Sequence, residues 1–195
     1  MHFNSHSELS GKHAFLSPSS SAWLRYDETQ VQARLQSWKA AKRGTDIHNH
    51  AHESIRLGIY LAFPTEEEQA QGRGNPIALA AYVAHGIDWG MSCEVPLFYS
   101  ENCFGHADTM SFDTVTLRIS DLKTGITASK MEQLKIYAAI FCLEYGVDPY
   151  GINIELRIYQ REEIHDYVPS PEEIVQIMTT IVERDQYIES LKVVA

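Results

Sequence analysis

Residues 105–125, GHADTMSFDTVTLRISDLKTG, carry two carboxylates and an amine at spacings that let them meet. Asp108 and Asp121 fall on segments that read as consecutive antiparallel strands, so they can share one end of a strand pair. Lys123 follows Asp121 by two residues, which puts both side chains on one face of the strand. Carboxylates a few ångströms apart repel unless a proton or a cation lies between them. Magnesium or manganese is the usual solution, because hard cations take oxygen ligands and keep some of their waters. A lysine beside such a pair can hold or polarise an attacking water and stabilise the charge that builds on a phosphodiester under attack. DLKTG equally reads as a surface ion pair at a strand end leading into a turn.

Two more groups belong to the same argument. RGTDIHNH sets His48 near a helix start, and imidazole is usable alongside carboxylates at a magnesium or manganese site. His52 shares its face at i+4, whereas His50 points away. In SKMEQLKIYAAIF the main apolar stripe runs through Met131, Leu134, Ala138, Phe141 and Tyr145. Gln133, Tyr137 and Lys130 mark a second face. An amide, a phenol and an ammonium in line can bond phosphates or position an acidic ligand; they also suit the wetter side of a helix.

The elements that must position these groups are legible from patterning. SPSSSAWLRYDETQVQARLQSW opens with a helix-start signal, and Trp23, Val31, Leu35 and Trp38 keep roughly helical spacing around a break near Asp27. Lys39 to Gly58 reads as a further helix, PTEEEQAQGRGNP as a surface loop or short exposed helix, and IALAAYVAHGI as a helix. SCEVPLFY, GHADTMSF and VTLRISDL alternate as a three-stranded antiparallel meander. A helix follows from Ser129, stopped by Gly146 and Pro149, then the strand INIELRIYQ. A last helix has Ser170 as cap and Glu173 completing a capping box. The order predicts an α/β (α+β) domain, helices against a mixed sheet, over residues 1–195, with a helical N-terminal segment at about 17–60.

Composition narrows the function classes. The formal net charge of −10 argues against binding polyanions through the whole surface, but not against an acidic site whose bound cations supply positive charge. Cys93, Cys103 and Cys142 form no C-x-x-C pair, which disfavours a structural zinc or an iron–sulfur cluster and suits reduced thiols. No apolar run approaches a membrane span and the N-terminus lacks the apolar core of a signal peptide, so the expectation is a cytoplasmic protein.

Taken together, RGTDIH, the glutamate of SCEVPL, GHAD, SDLKTG and QLKIY resemble the RecB-type branch of the PD-(D/E)XK nucleases. They arrive in that family's order, from Arg43 to Tyr137, about half the chain. The opening LSPSSSAWL resembles small RecB-like proteins of bacteriophages. The resemblance implies a restriction-endonuclease-like core and a deoxyribonuclease dependent on Mg2+ or Mn2+. His48, Asp108, Asp121 and the Leu122 carbonyl would bind the metal and Lys123 would be the catalytic lysine. Glu94 would support the site or serve as an alternative ligand. Gln133 and Tyr137, with Lys130 and Thr124, would orient the acids or touch DNA. It further implies a phage or prophage exonuclease for recombination, replication or DNA degradation. A recombination or replication partner or a homo-oligomeric ring would help an acidic chain hold DNA. The cysteine pattern of the iron–sulfur members is missing from WLRYDET and from the tail after Cys142, so no iron–sulfur cluster is expected.

Two other readings compete. DIHNH resembles the D-x-H-x-H start of PHP-type metallo-phosphoesterases, which requires Asp46, His48 and His50 on a strand. A non-catalytic DNA-binding or assembly subunit could keep the nuclease fold, although both aspartates and the lysine are retained.

Overall fold

The computed structural model describes residues 15–16, 21–125 and 130–192. The serine-rich start at 17–20 and Ser129 lie outside the described residues. Contacts divide the chain into two compact units, the first ending at Asp46 and the second beginning at Ile47.

In the first unit a 3-10 turn, Ser21–Arg25, precedes the first half of α1 (Glu28–Leu57). Asp27 is the break the sequence suggested. Its carboxylate accepts from the Gln30 amide at 2.8 Å while Gln30 Oε1 accepts from the Asp27 amide at 3.0 Å, a reciprocal cap. The Phe15 ring stands edge-on to Trp38 at 6.3 Å. No second helix begins at Lys39: α1 runs without interruption to Leu57. The residues around Trp38 are good helix formers, and one glycine, Gly44, does not break a helix.

In the second unit α1 ends at Gly58, whose φ of 66° closes the helix with the Ile59 amide bonded to the Ser54 carbonyl at 2.9 Å. The acidic stretch forms a short exposed helix, α2 (Glu66–Ala70), capped by Thr65 and Glu68. Then come α3 (Ile77–Asp88), the meander β1 (Ser92–Ser100), β2 (Cys103–Phe112) and β3 (Thr116–Lys123), α4 (Glu132–Tyr145), β4 (Asn153–Gln160), β5 (Glu163–Tyr167) and α5 (Pro171–Lys192). The strands lie in the order β1-β2-β3-β4-β5, antiparallel except for the parallel β3–β4 pair that α4 connects.

Strand β5 is not evident in the sequence. Its five residues, EIHDY, lack an apolar alternation, and the turn into it uses Arg161 at φ 57° rather than an Asn-Gly or Asp-Gly pair. An exposed, charged edge strand suits its position at the sheet's rim. Helix α4 also starts later than the pattern suggests, at Glu132, so Lys130 precedes the helix and is not on its second face.

Both faces of the sheet are covered. Leu117, Ile119 and Leu156 pack against Leu134 and Ala138 of α4 and Ile174 of α5. On the other side Leu122 and Tyr159 pack against Ala51 and Ile55 of α1 and Tyr82 and Val83 of α3. The α1–α3 approach depends on Gly86, where a Cβ would lie 2.6 Å from Ile55 Cδ1. The five-stranded mixed sheet flanked by helices is the α+β architecture that patterning indicated. Among the described residues no helix is long and apolar enough to cross a membrane.

Candidate functional site

The β2–β3 ladder runs from Phe112–Leu117 to Thr109–Ser120 and stops. One step further Asp108 stands opposite Asp121, and the strands part. The Leu122 amide there donates to Asp108 Oδ2 at 3.1 Å instead of to a strand carbonyl. From α1, His48 Nδ1 comes within 3.5 Å of the same oxygen. The side chain of Leu122 is buried in the apolar layer, so only its backbone is available to a ligand.

Lys123 Nζ donates to Asp121 Oδ1 at 2.9 Å and to Gln133 Oε1 at 3.3 Å, and Gln133 Nε2 donates to the Tyr137 hydroxyl at 3.1 Å. The side chains that sequence spacing placed on two elements thus form one chain of bonds from β3 to the first turns of α4. Lys130 and Thr124 are exposed, and among the described residues neither side chain has a polar partner in this cluster. Gly105 was not singled out by the sequence reading, yet a Cβ there would meet Tyr137 Cε1 at 2.9 Å. A glycine in mid-strand is the signal that could have found it.

Burial is the main cause that raises the Asp108 carboxyl above its ordinary range; His48, the Leu122 amide and Lys123 partly offset it. Asp121 is raised by burial first and by repulsion from Asp108 second, with Lys123 working against both. Asp121 Oδ2 is buried and has no hydrogen-bond donor: Lys123 Nζ is 2.9 Å from it, but off the line of a hydrogen bond. A buried carboxylate oxygen without a donor, facing a second raised carboxyl, is an arrangement a divalent cation relieves. Among the described residues no three His, Cys, Asp or Glu side chains converge as a preformed metal cage.

Glu94 lies on β1 across from Asp108, where the ladder between Cys93–Thr109 and Val95–Ala107 skips a rung. Its φ of 53° is a left-handed value rare outside glycine. That backbone twist lets Cys93 pack in the α1–α3 layer while Val95, two residues on, packs in the α4–α5 layer. The carboxylate contacts His52, whose Nδ1 is 3.2 Å from Glu94 Oε1 and whose Nε2 is 3.0 Å from the Tyr82 hydroxyl. Burial lowers the His52 pKa, favouring the neutral ring. Tyr82, deep in an apolar helix, gave no signal in the sequence.

Asp46, His48 and His50 all lie on α1, so the strand-borne D-x-H-x-H reading does not hold.

No family model matches the chain, and no curated protein matches it. Among solved structures it is similar to one described as the crystal structure of SSO0001, with a TM-score of 0.31 and 10% identity. The match covers 55% of this chain and 56% of that one, so it spans about half of either, and a likeness this slight carries no argument.

Proposed function

We propose that the protein is a metal-dependent deoxyribonuclease of the RecB-like PD-(D/E)XK type, acting as an exonuclease on linear DNA. The observation that carries the reading is the convergence of Asp108, Asp121 and Lys123 at the end of β3, with one carboxylate oxygen buried and lacking a donor. The order of motifs along the chain supports it independently, and the exonuclease preference rests on that resemblance.

His48, Asp108 and Asp121, with the Leu122 carbonyl, would hold Mg2+ or Mn2+. Such an ion supplies Lewis acidity at a phosphoryl oxygen and a water of lowered pKa. Lys123, fixed between Asp121 and Gln133, brings a positive charge to the atoms on which negative charge grows. Gln133 holds Lys123 in place and Tyr137 holds Gln133. Bound cations also reconcile a DNA substrate with a formal net charge of −10. A phage or prophage origin, a recombination or replication partner and ring-like self-assembly belong to the same proposal.

The experiment is a comparison of end-labelled linear, circular and single-stranded DNA with Mg2+, Mn2+ or EDTA. The reading expects divalent-dependent loss of linear DNA that Asp121→Ala abolishes and Lys123→Ala slows about 10²–10³-fold. Binding of DNA without cleavage under every condition would instead make the chain a non-catalytic subunit.

A further inference from the structure

We propose that His52, locked by Tyr82, is a positioning residue that holds Glu94 as an outer carboxylate of the divalent-cation site. The inference rests on the nuclease reading above, in which Glu94 supports the site, and adds His52 and Tyr82, to which that reading gives no role.

Glu94 is half exposed, at 51%, whereas His52 is 3% exposed. A flexible exposed carboxylate gains little by itself from an ion pair at the surface. Here the partner is buried. A carboxylate only accepts hydrogen bonds, so its 3.2 Å contact with Nδ1 favours the tautomer protonated there, in which Nε2 accepts from the Tyr82 hydroxyl at 3.0 Å. Tyr82 is itself buried and packed edge-on against Tyr159, with ring centroids 5.3 Å apart. One ring orientation makes both contacts, and a flip would turn the Cδ2 carbon toward the carboxylate and lose them.

Geometry ties this chain to the aspartates. Helix α1 presents His48 and His52 one turn apart, with ring centroids 6.0 Å apart. His48 meets Asp108 on β2 and His52 meets Glu94 on β1. Glu94 and Asp108 face each other across the rung the β1–β2 ladder omits. With Oε1 taken by His52, Oε2 is left for a cation at Asp108 or for a water that the cation holds. A histidine serving the core alone has no use for a half-exposed carboxylate, and a left-handed backbone at a glutamate is costly unless its placement matters.

The test measures Mn2+ affinity of metal-free protein by isothermal titration calorimetry, so no turnover is needed. Glu94→Gln and His52→Ala are each expected to weaken binding about 10–100-fold, the range for groups that orient metal ligands. The double variant should be no weaker than Glu94→Gln alone, because the two act through one carboxylate. His52→Asn, whose amide nitrogen can take the place of Nδ1, should recover most of the loss. Tyr82→Phe keeps the packing and should give a smaller loss, which serves where His52→Ala fails to fold. Wild-type affinity in folded Glu94→Gln and Tyr82→Phe, or additive losses in the double variant, would overturn the proposal. Asp108→Asn separates the two readings. If it abolishes Mn2+ binding while the His52 and Glu94 variants bind normally, only this inference fails. If the wild type binds no Mn2+, both fail.

Discussion

Asp108 stands opposite Asp121 one step past the last bonded rung of β2 and β3, and it takes the Leu122 amide at 3.1 Å as its backbone partner. A buried acid and a part-buried one facing each other beyond the last rung are a standing electrostatic cost.

Removing one of them is therefore expected to stabilise the metal-free protein. Both carboxyls titrate above the ordinary value of 3.8, so their contribution to stability is present below that value and is lost as pH rises through the folded values. Once pH exceeds the folded values the cost is fully expressed, and Asp108→Asn, which can still accept from Leu122, relieves it. Melting in EDTA should show the variant higher, by about 2–4 °C for each kcal/mol relieved in a chain of this size. Wild type, but not the variant, should gain stability on adding Mn2+. A variant that melts lower in EDTA would mean the two carboxyls do not oppose each other.

Lys123→Ala separates a role in turnover from a role in holding DNA. If its ammonium acts on developing charge, turnover falls about 10²–10³-fold while DNA affinity changes little. The lysine also favours the anion of Asp121, so without it the carboxyl rises further and the acidic limb of the pH–rate profile moves up. Affinity falling in step, with turnover per bound complex preserved, would make Lys123 a phosphate anchor. The measurements are single-turnover rates and filter binding over a pH series.

Gly105→Ala tests the support behind that lysine. The new methyl meets Tyr137 Cε1 at 2.9 Å, inside any real contact, so the ring must turn and draw Gln133 with it. Overpacking of this kind costs about 1–3 kcal/mol. Urea denaturation should show that loss, and activity should fall more than stability explains. Adding Tyr137→Ala should restore stability relative to Gly105→Ala alone, whereas simple addition of the two losses would show that the contact is not the cause.

Periodicity made most of the fold legible. The β1–β3 meander, α3, α4 and the strand β4 are each announced by alternation or a helical stripe, the break at Asp27 by spacing and the cap at Ser170 by residue type. Strand β5 was hidden because its identity depends on pairing with β4 rather than on its own five polar-rich residues. The acid pair and lysine could be named from types and spacing, but their register could not, since it depends on where the ladder ends. The spacing of His52 from His48 names its face but not its partners, and Tyr82 and Gly105 are hard to single out for a related reason. Each matters through one contact with an element distant in the chain.

The capping box of α5 gives a prediction independent of the site. Glu173 bonds Lys135 Nζ at 2.9 Å, the Ser170 amide at 2.9 Å and the Tyr167 hydroxyl at 2.8 Å, and Lys135 lies 4.5 Å over the Tyr167 ring. Bonding to Lys135 first, then to Ser170 and Tyr167, pulls the Glu173 carboxyl down to about 2. A depressed carboxyl contributes stability that is present above the unfolded value of 4.5 and lost as pH falls toward the folded one. The acids at Asp108 and Asp121 act in the opposite sense, so the whole protein's pH curve does not isolate Glu173. The difference between wild type and Glu173→Gln does. In urea titrations from about pH 6 down to about pH 3, that difference should be constant at first and then narrow steadily. Ser170→Ala removes the cap and should cost about 1 kcal/mol near neutral pH. A Glu173→Gln difference that stays flat to the acid end would mean that the carboxylate's charge contributes nothing, and that Lys135 is held by the Tyr167 ring alone.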